Sequence, residues 1–224
     1  MTSLHPEDRE RFASWFRQAR PKGTDDQLSA LGRYGDLVVS SSARLGLVAP
    51  GDLPRFLMRH VRESLATDLP EVVQGASVLD IGSGAGLPGL PLAIVRTDLD
   101  VTLLEPRRKK AAFLERCILQ LGLRAVRVDG RTLEALAAAG PLVRRTLAVS
   151  RALAWDEKRI AALGAVLLDP QGILIRFGPP EAVVGVGAYP IPGDPPRAVQ
   201  VWPRSAWPGL LRSSRLPQGG GQGP

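Results

Sequence analysis

The chain has 224 residues, 44% hydrophobic and 23% charged, the proportions of an ordinary globular protein. That length suits one domain with trimmings or two small ones, and needs no metal or disulfide staple. The net charge is +7, and one cysteine (Cys117) with two histidines excludes an internal disulfide framework and the usual zinc-ligand spacing.

Residues 1–70 read as a helical cap. Phe12, Trp15, Phe16 and Ala19 recur at the spacing of one helix face. Pro21 and Gly23 break that helix, and Thr24 with Gln27 resembles a capping box for the next. Leu28, Leu31, Tyr34, Leu37 and Val38 continue the second helix, which Gly32 and Gly35 weaken. Residues 40–52 read as loop. A third helix fits 53–66, with Leu53, Phe56, Leu57, Val61 and Leu65 on its apolar face.

From Ala76 the pattern alternates between short apolar strands and helices. Strands are predicted at 76–81, 100–104, 125–129, 146–150 and 172–177, and helices at 88–95, 107–121, 132–139 and 155–168. This alternation predicts an α/β fold of βαβ units around a mostly parallel sheet. Residues 178–196 are rich in Pro and Gly and read as loop, with a last strand at 198–202. The expected division is a cap over 1–70, a core over 71–203 and a flexible tail over 204–224.

The informative stretch is Asp80-Ile81-Gly82-Ser83-Gly84-Ala85-Gly86-Leu87-Pro88-Gly89. It follows the first strand and opens a helix, where a ligand binds in open α/β sheets. Gly84, Gly86 and Gly89 match the dinucleotide G-x-G-x-x-G formally, with Glu105 placed for a ribose. An acid two residues before Gly-x-Gly-x-Gly instead looks like the first motif of class I methyltransferases that use S-adenosylmethionine. That cofactor lacks a pyrophosphate and carries a zwitterionic end and a sulfonium, which an acid and backbone groups suit. Glu105 serves either class, so it does not discriminate.

A closer resemblance follows. The run from Leu79 to Leu92, ending Leu87-Pro88-Gly89-Leu90-Pro91-Leu92, resembles the bacterial ribosomal RNA small-subunit methyltransferase G family, also called glucose-inhibited division protein B. Three further blocks match in order: Arg59-His60-x-x-Glu63-Ser64, Leu103-Leu104-Glu105 with Lys109-Lys110-x-x-Phe113-Leu114, and Ser150-Arg151-Ala152. The resemblance covers about residues 24–203. It implies a Rossmann-like class I S-adenosylmethionine-dependent methyltransferase with an N-terminal helical extension. The implied reaction is methylation of guanine N7 in 16S ribosomal RNA, presented in the small ribosomal subunit. A cytoplasmic monomer without metal or membrane is expected, since no apolar run reaches the length of a membrane span and the N-terminus lacks the apolar segment of a secretory signal.

Carried over residue by residue, Asp80, Gly82, Gly84 and Leu87 would meet the cofactor from the loop. Glu105 would hold the ribose, and Thr132 and Leu133 the adenine. Arg151 would stand at the cofactor and target site, with His60 a candidate catalytic partner. The sequence departs from the family in having Glu105 where Asp is common and Phe177-Gly178 where Lys-Gly is frequent. Other readings are a methyltransferase on another RNA or a small molecule, a non-catalytic ribosome-binding protein, and a nicotinamide oxidoreductase.

Guanine N7 carries an in-plane lone pair and no proton, so its methylation needs alignment and no general base. The shortage of His and Cys suits that. Residues 105–151 carry 11 basic and 4 acidic side chains, an excess equal to that of the whole chain. Arg107, Arg108, Lys109 and Lys110 follow Glu105 and are expected to contact RNA phosphates. Arg124, Arg144 and Arg145 precede strands and belong at the opposite end of the sheet. Cys117 shares an apolar stripe with Phe113 and Leu114 and reads as core. Trp155, Trp202 and Trp207 read as packing residues.

Overall fold

The computed structural model describes residues 4–139, 145–151, 167–178, 187–191 and 197–203. Residues 155–166 of the helix expected over 155–168, with Trp155, Arg144, Trp207 and the tail, lie outside the described residues.

Helix α1 (Pro6–Ala19) buries Phe12 and Phe16, each worth about 1.5–3 kcal/mol of apolar burial. Helix α2 (Asp25–Leu45) starts at the expected capping box: Gln27 N–H donates to Thr24 Oγ1, and Thr24 N–H to Gln27 Oε1. It runs six residues into the stretch read as loop. The serines there are compatible with a helix because Ser40 and Ser42 donate their hydroxyls back to the carbonyls of Leu37 and Val38. The helix ends at Gly46, whose φ of +57° favours glycine. Gly32 and Gly35 are points of close approach: a Cβ on Gly35 would lie 2.6 Å from Leu4 Cδ1 and 3.1 Å from Leu57 Cδ2.

The single helix expected over 53–66 is three pieces. A 3₁₀ turn (Pro50–Arg55) leads into a π-helical turn (Leu57–Val61) and a short helix α3 (Arg62–Leu65). Asp8 of α1 caps this element, accepting the N–H groups of Leu57 (2.7 Å) and Met58 (3.1 Å).

Strands β1 (Ser77–Ile81), β2 (Asp100–Leu104), β3 (Val126–Asp129), β4 (Arg145–Ser150) and β5 (Leu168–Gly178) are parallel. They alternate with α4 (Gly89–Val95), α5 (Arg108–Leu121) and α6 (Leu133–Ala138). Strand β5 begins at Leu168, where the last expected helix was to end. The Pro/Gly-rich stretch read as loop contains a sixth strand, β6 (Gly187–Ile191), which hairpins with β7 (Arg197–Pro203). Pro190 is tolerated there because β6 is an edge strand. The order is β3-β2-β1-β4-β5-β7-β6, with β7 antiparallel between β5 and β6. Its first five strands follow the Rossmann order.

The helical extension and the sheet share one apolar core, in which Phe12, Tyr34 and Phe56 join Val78, Leu103 and Val149. A chain of ion pairs ties them at the base: Arg20 and Arg96 both engage Asp68, and Arg96 also binds Asp98. Cys117 is wholly buried, its thiol pushed up to about 12 by desolvation, as suits a core residue. Among the described residues no helix is long and apolar enough to cross a membrane, and no group of three His, Cys, Asp or Glu is placed to hold a metal ion.

Candidate functional site

A cavity of about 710 Å³ opens at the C-terminal edge of the sheet, a size typical of small-molecule sites. Four strand ends supply its floor. Thr132 follows β3, Glu105 follows β2, Gly82 follows β1 and Arg151 follows β4. Those strands are neighbours in that order, so the four positions form a row roughly 14 Å long.

The loop after β1 depends on its glycines. Gly82, Gly84 and Gly86 have φ of +72°, +57° and +99°, values that other residues rarely adopt. Gly89 opens α4 where a Cβ would lie 2.5 Å from Leu103 Cδ2 and 2.6 Å from Asp80 Oδ2. Most of the loop's N–H groups are engaged internally. Those of Gly82 and Ser83 reach Leu104 O, those of Gly86 and Leu87 reach Ser83 O, and that of Gly84 reaches Glu105 Oε2 at 2.9 Å. Such a loop is a poor pyrophosphate cradle, so it does not favour the dinucleotide reading.

Glu105 is buried, and its second oxygen accepts the Arg107 N–H at 2.9 Å. Each carboxylate oxygen keeps lone-pair capacity for a hydroxyl donor. Thr132 caps α6 by accepting the Ala135 N–H, which leaves Thr132 and Leu133 lining the β3 end of the cavity. Leu87 also lines it.

Asp80 is placed differently from the expectation. It lies under the loop, fully buried and outside the cavity lining, and its Oδ2 accepts the Gly89 N–H at 3.0 Å. It positions the loop and the start of α4. Burial pushes its carboxyl up to about 7.

At the β4 end, Arg151 is held by the helical extension. Its guanidinium donates to His60 O (3.1 Å), to His60 Nδ1 (2.8 Å) and to Glu63, and stacks 5.6 Å from the Phe177 ring centroid. Phe177, where the family often has Lys, therefore supports the arginine. A guanidinium only donates, so His60 Nδ1 accepts and its ring proton sits on Nε2. Nε2 faces Asp52 Oδ2 at 3.3 Å, outside good hydrogen-bond geometry. Burial and the Arg151 charge lower His60 to about 4, so the ring is neutral near pH 7. Arg59 pairs with the other oxygen of Asp52 at 3.2 Å. The π-helical turn delivers Arg59 and His60 to the cavity, an association common at functional sites.

Of the basic run, Arg107 and Lys110 line the cavity, and Lys110 Nζ donates to Gly46 O at 3.2 Å. Arg108 and Lys109 are exposed beside it, outside the lining. Arg127 and Arg145 pair with Asp100 at the opposite end of the sheet, the end expected for Arg145. Arg131 pairs with Asp129.

Two residues of the site carried no signal in the sequence. Asp52 lies in a stretch read as loop. Tyr34, read only as an apolar position, donates its hydroxyl to Ala85 O at 3.0 Å and braces the loop from above.

Comparison with known proteins agrees with this geometry. The family model for rRNA small subunit methyltransferase G matches residues 27–177. A ribosomal RNA small subunit methyltransferase G from Streptomyces coelicolor is 40% identical over 162 residues, covering 71% of this chain and 65% of the relative. One from Mycobacterium leprae is 40% identical over 152 residues, covering 67% and 60%. The match thus spans less than two thirds of either relative. Among solved structures, the S-adenosylmethionine-dependent methyltransferase SibL matches with a TM-score of 0.53 at 14% identity, over 86% of this chain and 76% of that one. A predicted O-methyltransferase from Agrobacterium tumefaciens matches with a TM-score of 0.52 at 18% identity, over 64% and 80%. These likenesses show a class I methyltransferase fold.

Proposed function

The chain belongs to the rRNA small subunit methyltransferase G family, and we propose that it transfers a methyl group from S-adenosylmethionine to N7 of a guanine in 16S ribosomal RNA. The observation that carries this reading is the family match over residues 27–177, which encloses every described residue that lines the cavity. The substrate in this reading is the RNA within the small ribosomal subunit, and the protein acts as a monomer in the cytosol. The first 70 residues serve as a cap over the acceptor end of the core.

The residues present fit the cofactor. The row of strand ends matches an extended nucleoside: Thr132 and Leu133 at the adenine, Glu105 at the ribose, and the loop of Gly82, Gly84 and Leu87 at the amino-acid end. When bound, S-adenosylmethionine supplies an electrophilic methyl carbon on a sulfonium. In that chemistry the guanine N7 lone pair would bond to the methyl carbon as the carbon–sulfur bond broke, the positive charge passing to the purine. No proton leaves, so no base is required. His60 fits that chemistry as a positioning residue: neutral near pH 7, it holds Arg151 through Nδ1. Arg151, fixed by His60, Glu63 and Phe177, presents a rigid cationic edge to guanine O6 or to a phosphate. Arg107 and Lys110 on the rim, with Arg108 and Lys109 beside them, provide the electrostatic footprint for RNA.

Titration with S-adenosylmethionine and with NAD(P) tests the cofactor class, and the first alone is expected to bind. Labelled methyl transfer to small subunits, naked RNA and no RNA tests the substrate. Transfer to small subunits is expected; transfer to a small molecule in their absence would overturn the reading. Arg151→Ala is expected to lose transfer, and full transfer with full cofactor affinity would remove its assigned role.

A further inference from the structure

The residues assigned to the adenine, the ribose and the amino-acid end of the cofactor occupy the β3, β2 and β1 ends of the cavity. The acceptor base therefore belongs at the β4 end, where Asp52, Arg59 and His60 of the helical extension meet Arg151. Among the described residues three carboxylates line the cavity: Asp52, Glu105 and Glu134. Glu105 follows β2, where it is assigned to the ribose. Glu134 stands in the first turn of α6, beyond β3, at the far end. Among the lining residues, Asp52 is thus the carboxylate offered to the acceptor base.

We propose that Asp52 reads the N1–H and N2-amino edge of the guanine and so determines base specificity. This rests on the guanine-N7 reading given above. With N7 turned toward the cofactor, the six-membered ring presents its N1–H and amino donors to the opposing wall. A carboxylate accepts from both. Adenine presents the lone pair of N1 there and is repelled, an element of discrimination against the wrong purine. Asp52 has the capacity, since each oxygen meets one cationic or ring N–H group, at 3.2 and 3.3 Å, and keeps further lone pairs.

The same contact strengthens during transfer. The purine gains a positive charge, so N1–H and the amino group become better donors as the new bond forms. An acceptor placed there binds the transition state more tightly than the ground state. The local charge balance points the same way. Arg59 and Arg151 are offset by Asp52 and Glu63, with His60 neutral. Removing Asp52 leaves an uncompensated cation where positive charge develops.

The test uses small subunits reconstituted with guanosine or inosine at the modified position, inosine lacking only the amino group. The full chain, Asp52→Asn and Asp52→Ala are compared by kcat/KM, with a cofactor titration to establish that each variant retains a formed site. The unaltered chain is expected to prefer guanosine by roughly tenfold or more. Both variants are expected to lower kcat with guanosine and to bring the guanosine-to-inosine ratio close to one. Slower variants that keep the full preference would overturn the proposal and reduce Asp52 to a structural partner of Arg59. An unaltered chain without preference would also overturn it. No transfer by the unaltered chain to guanosine subunits would instead remove the function on which the inference rests.

Discussion

Tyr34→Phe isolates one atom. The ring stays, and with it the packing on Phe56 at a centroid distance of 5.8 Å; the hydroxyl that donates to Ala85 O at 3.0 Å is lost. Tyr34 is wholly buried, and desolvation raises its phenol well above the ordinary value, so it remains a donor throughout the working pH range. The variant leaves the Ala85 carbonyl without that donor, which costs about 1–3 kcal/mol. That cost can fall on the whole fold or on the loop alone. A global cost lowers the melting temperature by about 2–4 °C per kcal/mol in a chain of this size. A local cost loosens the loop, and each 1.4 kcal/mol or so weakens cofactor binding about tenfold. Gly82, Gly84 and Gly86 make the loop conformation specific, so the local route is expected to dominate. Calorimetric titration should show S-adenosylmethionine binding about five- to tenfold weaker, with a melting temperature only a few degrees lower. Unchanged affinity together with an unchanged melting temperature would refute the brace.

Three further predictions follow from the site. Glu105→Gln replaces one accepting oxygen by an amide donor that opposes a backbone N–H, so cofactor affinity is expected to fall about tenfold or more; an unchanged dissociation constant would exclude Glu105 from the ribose site. Burial pushes Asp80 up to about 7, so the folded form keeps a proton that the unfolded chain releases near pH 4. Its contribution to stability is then lost as pH rises from about 4 to about 7. Asp80→Asn should gain stability relative to the unaltered chain across that window in urea unfolding, and a constant difference would contradict the assignment. Arg108→Ala and Lys109→Ala should each reduce the salt dependence of RNA binding by about 0.7–0.9 in the log–log slope, with cofactor affinity unchanged; an unaltered slope would place both residues off the RNA path.

Local signals in the chain were legible, and contacts between distant segments were not. The parallel strands β1 to β4 stand where short apolar runs predict them, and the Thr24–Gln27 capping box is local chemistry spelled out in four residues. The glycine loop was readable because positive φ demands glycine at 82, 84 and 86. Asp8 capping Leu57 and Met58, and Tyr34 bracing Ala85, join positions about 50 residues apart. Nothing in the surrounding residues announces either. Asp80 fitted a motif whose acid was expected at the cofactor, and only the packing of Gly89 against it shows the carboxylate under the loop. The π-helical turn escaped because Leu53, Phe56, Leu57 and Val61 suit an ordinary helix, while the cap from Asp8 comes from another element. The hairpin strand β6 was hidden by Pro190 and its Pro/Gly-rich surroundings, which an edge strand tolerates.

The proposed transfer of one methyl group to guanine N7 in small-subunit RNA can be read at the modified base itself. Its most direct measurement incubates the purified chain with labelled S-adenosylmethionine and small subunits lacking the modification, then maps the label by nuclease digestion and mass spectrometry. A single 7-methylguanosine in the 16S RNA is expected. Bound cofactor with no label in the RNA, or label on another base or atom, would contradict it.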